Sequence, residues 1–410
     1  MNIVSLERIQ AVLERLRPGA RAVVSGNFSS PVPLLEALDA AQETYTVHIL
    51  NAQCPLPDRP GVTLETTFVG PTMRRRAGLR YIPCRLSMVP LLFGHHLLPD
   101  VVLLHTSRIV NGQVSLGLEV NVLPAAIEAV RGRGGLVIGM VNRQMPYVYG
   151  DGEMLLREFD YLVEVDEPLA QVSPRPPDDI SLAIGENVAS MILDGSTLQL
   201  GIGSVPDAVL ASVREHRELS VWSEMFSDGV LALEVAGALS QERPIVSSFI
   251  FGSEELYRWV DENSRVRLLR TERTNEPGTI ERLPQMTSVN AALQVDLFGQ
   301  ANASRVKGQI FSGFGGQTDF IVGAMHAPGG QAFIALSSWH TKSNSSTIVP
   351  ILGFPVTSFQ QTAVVTEQGT AHLWGRSQRE QATELIERAA HPDARDSLRQ
   401  AAAEMGLSHG

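Results

Sequence analysis

The sequence predicts an α/β protein made of two similar halves. Three observations carry that expectation: buried runs of strand length, helical segments between them, and one pattern that occurs twice in the same order. At 410 residues the chain is too long for one ordinary core, so two domains follow. The Pro-rich stretch Ser173-Pro-Arg-Pro-Pro-Asp-Asp179 reads as the linker. The expected division is therefore 1–178 and 179–410, with a cleft between two α/β domains as a common place for a ligand.

The doubled pattern is visible without any relative. Ser25-Gly-Asn-Phe-Ser-Ser-Pro-Val-Pro-Leu-Leu-Glu-Ala-Leu38 echoes Leu200-Gly-Ile-Gly-Ser-Val-Pro-Asp-Ala-Val-Leu210. Each reads as a strand, a glycine turn and a helix with proline near its first turn. Val110-Asn-Gly-Gln-Val-Ser-Leu-Gly117 then matches Val306-Lys-Gly-Gln-Ile-Phe-Ser-Gly313, and Gly134-Gly-Leu-Val-Ile-Gly-Met-Val141 matches Gly329-Gly-Gln-Ala-Phe-Ile-Ala-Leu336. The runs 101–104, 137–141, 333–336 and 363–365 read as buried strands. Segments 123–131, 180–193 and 378–390 read as helices, the second of them opening the second half.

Composition narrows the partners. The net charge of −11 argues against nucleic acid or an anionic membrane as a main partner. The N-terminus lacks a secretory apolar core, and the apolar stretch 89–104 is broken by His95, His96, Pro99 and Asp100. The two cysteines, Cys54 and Cys84, have neither metal spacing nor a disulfide framework, and read as packing residues in a reduced, cytoplasmic setting. His95, His96 and His340 have no partners at metal-ligand spacing, so no metal is expected. Arg74-Arg-Arg76 with Arg80 reads as a solvated charged loop rather than a phosphate site.

Glycine turns are the candidate ligand sites. Gly201-Ile-Gly203 follows a strand and opens a helix, a geometry that lets backbone approach a ligand and offers N–H groups to an anion. It is neither a dinucleotide fingerprint nor a P-loop. Ser312-Gly-Phe-Gly-Gly-Gln-Thr-Asp-Phe320 carries more glycine than a connection requires and suits backbone lying against a bulky ligand. The turn Thr366-Glu-Gln-Gly-Thr-Ala371 follows a strand, and a Gly369 N–H suits an oxyanion-hole role. No Gly-x-Ser-x-Gly elbow occurs, so a serine-hydrolase triad is unsupported.

Across nearly its whole length the chain resembles the acetyl-CoA hydrolase/transferase family, which includes 4-hydroxybutyrate CoA-transferases. The resemblance lies in 198–210, Ser223-Glu-Met-Phe-Ser-Asp-Gly229, Phe251-Gly-Ser-Glu-Glu-Leu-Tyr257, 288–300, 312–320, Ile348-Val-Pro350 and 364–375. It implies two NagB/CoA-transferase-like α/β domains, with CoA or acyl-CoA held as substrate mainly by the second. By position, Gly369 falls at the oxyanion-hole glycine, and Gly313, Gly315, Gly316, Gln317 and Asp319 fall in the CoA-contacting loop. Gly201 and Gly203 join them as cofactor-binding candidates.

The resemblance also places Gln294 where a nucleophilic glutamate is expected. A carboxylate can attack a thioester and then carry CoA, whereas a neutral carboxamide has no anion to offer. Trp222 stands where histidine is common, Thr106–Gly112 lacks the usual Pro-Asp, and Glu119 replaces a small polar residue. Three functions compete. The first is direct acyl transfer or thioester hydrolysis, with Gln294 orienting the acceptor or carbonyl and Glu224 or Glu119 as base. The second is ordinary carboxylate CoA transfer with Gln294 an engineered Glu→Gln change, and the third a non-catalytic CoA-binding or interaction protein. Small-molecule acyl-CoA and an acceptor are the expected partners, in a homo-oligomer, first of all a dimer.

Overall fold

Seven short, largely apolar segments assemble into one parallel sheet in the computed structural model, which describes residues 3–354, 356 and 359–408. They are β1 (Ala20–Val24), β2 (Tyr45–Ile49), β3 (Val62–Thr66), β4 (Arg80–Tyr81), β5 (Val101–Thr106), β6 (Leu136–Asn142) and β7 (Tyr161–Val165). Their spatial order is 4-3-2-1-5-6-7. The chain builds outward from β1 in one direction, then returns to start β5 on its other side. That reversal makes the carboxyl ends of β1 and β5 a topological switch point. All six residues of β5 are buried, as expected of a strand covered on both faces.

A second sheet follows the same rule. It contains β8 (Thr197–Leu200), β9 (Ser220–Val221), β10 (Met286–Ala291), β11 (Gln331–Ala335), β12 (Ala363–Thr366) and β13 (Gly369–His372), in the order 9-8-10-11-12-13. All neighbours are parallel except β12 and β13, which form a tight hairpin. Its switch point lies between β8 and β10. The expected α/β class is thus the observed one.

The repeated blocks adopt repeated conformations. Val110 bridges Gln113 across Asn111 (φ 50°) and Gly112 (φ 78°), while the strands at 305–306 and 309–310 pair across Lys307 (φ 49°) and Gly308 (φ 80°). Two consecutive left-handed residues give the twist that joins two strands tightly, which is why Asn-Gly and Lys-Gly end in glycine. Gly134 (φ 72°) leads into β6 as Gly329 (φ 67°) leads into β11.

Helix Leu123–Arg131 has the expected bounds. Segment 378–390 is the helix Gln378–Glu384 continued by a π-helical turn, Leu385–Ala389. The helix expected over 180–193 instead spans Asp179–Ala189, capped by Asp178, whose side chain accepts from the Ser181 N–H. Its early end follows from Ser190, Met191 and Ile192, whose N–H groups close the last turns before Gly195 enters the left-handed region at φ 80°.

Two compact units result, neither continuous in sequence. The first is Met1–Ser173 with Ile245–Thr274 and Ile310–Gly315; the second is Pro174–Pro244, Asn275–Gln309 and Gly316–Gly410. In the first, Leu34, Leu38, Val47, Ile49, Leu103 and Ile138 belong to a continuous buried cluster. In the second, Val295, Leu297, Phe320, Ile334 and Val364 do the same, with Trp222 and Phe298 partly buried against them.

The arginines of the 74–80 region are more tied down than a solvated loop. Arg74 lies 3.7 Å over the Phe311 ring, Arg76 pairs with Asp58, and Arg80 reaches the buried Glu65. Cys54 and Cys84 form no disulfide, and both are half-buried.

Candidate active site

Because β8 to β12 run parallel, the segments that leave their carboxyl ends emerge at one edge of the second sheet. Gly201–Gly203 leaves β8, Trp222–Glu224 leaves β9, Gln294 follows β10, and the turn to Gly369 leaves β12. Most of the residues singled out from the sequence of the second half therefore gather at the edge where open α/β sheets bind ligands.

Gly203 has φ 117°, and open space surrounds the position a Cβ would take. It precedes helix Ser204–Ser212, whose N-terminus has no side-chain cap among the described residues. Its first N–H groups have no intrahelical acceptor, so this end can receive an anion. Gly369 has φ 141°, which an L side chain rarely adopts, and starts β13 after the two-residue turn Glu367–Gln368. Glu367 accepts from the Ser338 N–H at 2.8 Å and from its hydroxyl, tying this turn to the segment beyond β11.

Gln294 begins a short strand, Gln294–Asp296, that pairs with 301–302 on one side and 348–349 on the other. Its side chain is partly exposed and makes no hydrogen bond among the described residues. The carboxamide is available to a ligand but carries no charge.

Glu224 is the ionisable group at this edge with the most constrained setting. Trp222 N–H still donates to Leu198 O, and the Ser223 hydroxyl donates to Leu200 O at 3.0 Å, so the extended chain carries Glu224 past the end of β8. The buried Asn275 donates through Nδ2 to Glu224 Oε2 at 3.0 Å. The Gly316 N–H also donates to this carboxyl. A Cβ on Gly316 would overlap both Glu224 Oε2 and Asn275 Nδ2, which explains glycine there without any ligand. Burial pushes Glu224 up to about 7; the hydrogen bonds from Asn275 and Gly316 oppose this, and the charge of Asp319 adds to it.

The glycine-rich loop has internal work to do as well. Gly313 lies against Thr67 O and Phe68, and Gly315 (φ 55°) against the Phe68 ring. The chain leaves the first unit after Gly315 and enters the second at Gly316. Asp319 is fully buried in the first turn of helix Gln317–His326, where its charge acts on Glu224. Gln317 Nε2 is buried with no partner among the described residues. Sequence reading paired neither Asn275 nor Asp319 with Glu224, and no local pattern links positions 51 and 95 residues away.

Glu119 belongs to the first unit, at the other switch point. It is 1% exposed, and its Oε1 accepts from Asn27 Nδ2 at 2.9 Å and Asn121 Nδ2 at 2.7 Å. Its Oε2 is buried with no partner among the described residues. Burial pushes this carboxyl up to about 7 against those hydrogen bonds. Enclosure of this kind suits a structural acid better than a base that must meet an acceptor.

The described residues contain no group of three or more His, Cys, Asp or Glu that could hold a metal ion, and no helix long and apolar enough to cross a membrane. Fold and edge together define an α/β protein with a candidate ligand site at a strand-order switch point.

Comparison with known proteins narrows the class. Residues 252–402 match the acetyl-CoA hydrolase/transferase C-terminal domain. The 4-hydroxybutyrate coenzyme A transferase of Clostridium kluyveri is 36% identical over 412 residues, covering 95% of each chain. A crystal structure of 4-hydroxybutyrate CoA-transferase from Porphyromonas gingivalis superposes with a TM-score of 0.81 at 31% identity, over 98% of each chain. RipA from Yersinia pestis superposes with a TM-score of 0.91 at 26% identity, over 98% of this chain and 100% of that one. The chain belongs to the acetyl-CoA hydrolase/transferase family.

Proposed function

We propose that this protein transfers CoA between a CoA thioester and a carboxylate acceptor, with Glu224 as the attacking group. The observation that carries the reading is the Glu224 carboxyl: held by Asn275, beside Gly316, at the carboxyl edge of the second sheet. The names of full-length relatives, CoA transferases in Clostridium kluyveri and Fasciola hepatica, point the same way. The chemistry missing from Gln294 is then supplied by another residue.

A Glu224 oxygen attacks the thioester carbonyl and CoA leaves as the thiolate, giving an acyl-glutamyl anhydride. The thiolate attacks the glutamyl carbonyl, releasing the acyl group as its carboxylate and leaving CoA on Glu224 as a thioester. An acceptor carboxylate reverses both steps and leaves as the new CoA thioester. In this reading the Gly369 N–H faces the oxyanion of the attacked substrate carbonyl. Gln294 orients the carboxylate through its uncharged amide, and the open helix end after Gly203 takes a phosphate of CoA. Water in place of the acceptor would make the same centre a thioester hydrolase. A homo-oligomer working in the cytoplasm, and descent of the halves 1–178 and 179–410 from one duplicated unit, belong to the same reading; the paired left-handed hairpins support the duplication.

The test is intact-protein mass spectrometry after incubation with acetyl-CoA, followed by borohydride trapping and peptide mapping. A CoA adduct on Glu224, absent from Glu224→Gln, with parallel initial-rate lines, is the expected result. An unmodified mass with intersecting lines would overturn it, in favour of direct attack on the thioester with Glu224 as base.

A further inference from the structure

We infer that the first unit binds a nucleoside monophosphate, or a phosphate ester of that class, in a cavity lined by Arg15 and Arg133. None of the residues there takes part in the proposed transfer at Glu224.

The cavity, about 410 Å³, lies at the amino edge of the first sheet. Arg17 precedes β1, Asp100 precedes β5, Gly134 and Gly135 precede β6, and Tyr161 begins β7. This is the end of the strands away from the switch point, so a ligand here meets none of the groups at the carboxyl edge. Small-molecule pockets run from roughly 300 to 1,000 Å³, so the space suits a nucleotide better than a bare ion.

Charge singles this cavity out. The chain carries a net −11, yet three arginines line the cavity against one carboxylate. That carboxylate, Asp100, is already engaged. It accepts from Arg17 Nε at 3.0 Å, from Arg17 Nη2 at 2.8 Å and from the Arg21 N–H at 2.8 Å. Asp100 thus neutralises Arg17 and leaves Arg15 and Arg133, whose guanidinium groups have no hydrogen-bond or ion-pair partner among the described residues. The helices Leu6–Leu13 and Leu123–Arg131 both end here, and their carbonyl ends hold cations nearby without supplying a counter-anion. Two unpaired guanidinium groups match a phosphate monoester, which is nearly dianionic at neutral pH and accepts paired N–H donors.

Backbone donors do not share this task. The Gly134 N–H bonds Arg131 O at 3.1 Å and the Gly135 N–H bonds Val130 O at 3.0 Å, so recognition of the anion falls to the side chains. Gly134, at φ 72°, leaves open space where a Cβ would stand. Leu16, Leu136 and Tyr161, each packed on the core cluster behind it, supply an apolar wall against which a base can lie. Inorganic phosphate would leave that wall uncovered, and a nucleoside would leave both arginines unpaired. The two features together select the monophosphate.

Calorimetric titration with adenosine 5′-monophosphate tests the inference. The wild type should bind it, inorganic phosphate should bind more weakly, and adenosine should give no heat. Arg15→Gln and Arg133→Gln, both at exposed positions, should each weaken monophosphate binding by roughly 10- to 100-fold, the effect of one lost charge-assisted contact. The KM for acetyl-CoA should be unchanged in both variants, which separates this cavity from the place where CoA reacts. No heat from the monophosphate in the wild type would overturn the inference. Equal affinity in the wild type and the double variant would also overturn it, since the nucleotide would then be bound elsewhere on the chain.

Discussion

Replacing Glu119 by glutamine should make the protein more stable at high pH and leave it unchanged at low pH. The carboxyl is buried, one oxygen accepts from two asparagines, and the other has no partner among the described residues. Burial lifts it from 4.5 to about 7. A folded-state value above the unfolded one means the folded protein holds an extra proton between those limits. Stability therefore declines as pH rises from 4.5 through 7, then levels off once Glu119 is ionised in both states. The displacement corresponds to at most about 3 kcal/mol at pH 8.5. Glutamine keeps the oxygen that accepts from Asn27 and Asn121 and never ionises, so Glu119→Gln removes this loss. At roughly 2–4 °C per kcal/mol for a unit of this size, melting should rise by several degrees at pH 8.5 and by little at pH 5. Calorimetric melts of both proteins across pH 5–8.5 would show the gap opening through the titration. A constant gap, or a variant less stable at pH 8.5, would refute the account of Glu119 as an enclosed acid.

Gly316→Ala should cost CoA transfer at least about 100-fold, because displacing a reactive group by about 1 Å has effects of that order. The added Cβ must push Glu224 Oε2 and Asn275 Nδ2 aside; steady-state rates with a melting curve check this, and near-normal turnover would contradict the packing. Glu65 tests the first unit's ionic centre. Burial alone would raise its pKa, but His48 at 3.1 Å and Arg21 at 3.0 Å outweigh it and bring it to about 2. With the folded value below 4.5, its contribution is present above pH 4.5 and is lost as pH falls toward 2. Glu65→Ala should cost about 3 kcal/mol or more in urea unfolding at pH 7, since it strands Arg21 beside a buried void.

Local chemistry made much of the architecture legible. Apolar runs of three to five residues announced β5, β6, β11 and β12, since a strand covered on both faces has no polar side to show. Asn111-Gly112 and Lys307-Gly308 were legible only as matching blocks of the doubled pattern; the structure adds that each pair takes two consecutive left-handed residues, the second a glycine. Gly201, Gly203 and Gly369 stood out as glycine turns after strands, and of these Gly203 and Gly369 take positive φ. The reading of Ser312–Phe320 was less complete: its glycines signalled close approach, but not that Gly313 meets Phe68 and Gly316 meets Glu224.

What the sequence by itself determined was the alternation of strand and helix, the doubled pattern and the family, all written in short windows or in ordered blocks. Only the tertiary structure decided which residues share an environment. Segments 245–274 and 310–315 join the first unit although they follow the linker, because compactness depends on contacts rather than chain order. Glu224 gains its character from Asn275, Gly316 and Asp319, and Glu119 from Asn27, 92 positions earlier. A carboxyl's pKa and its donors are properties of the space around it, and that space exists only once distant segments have packed.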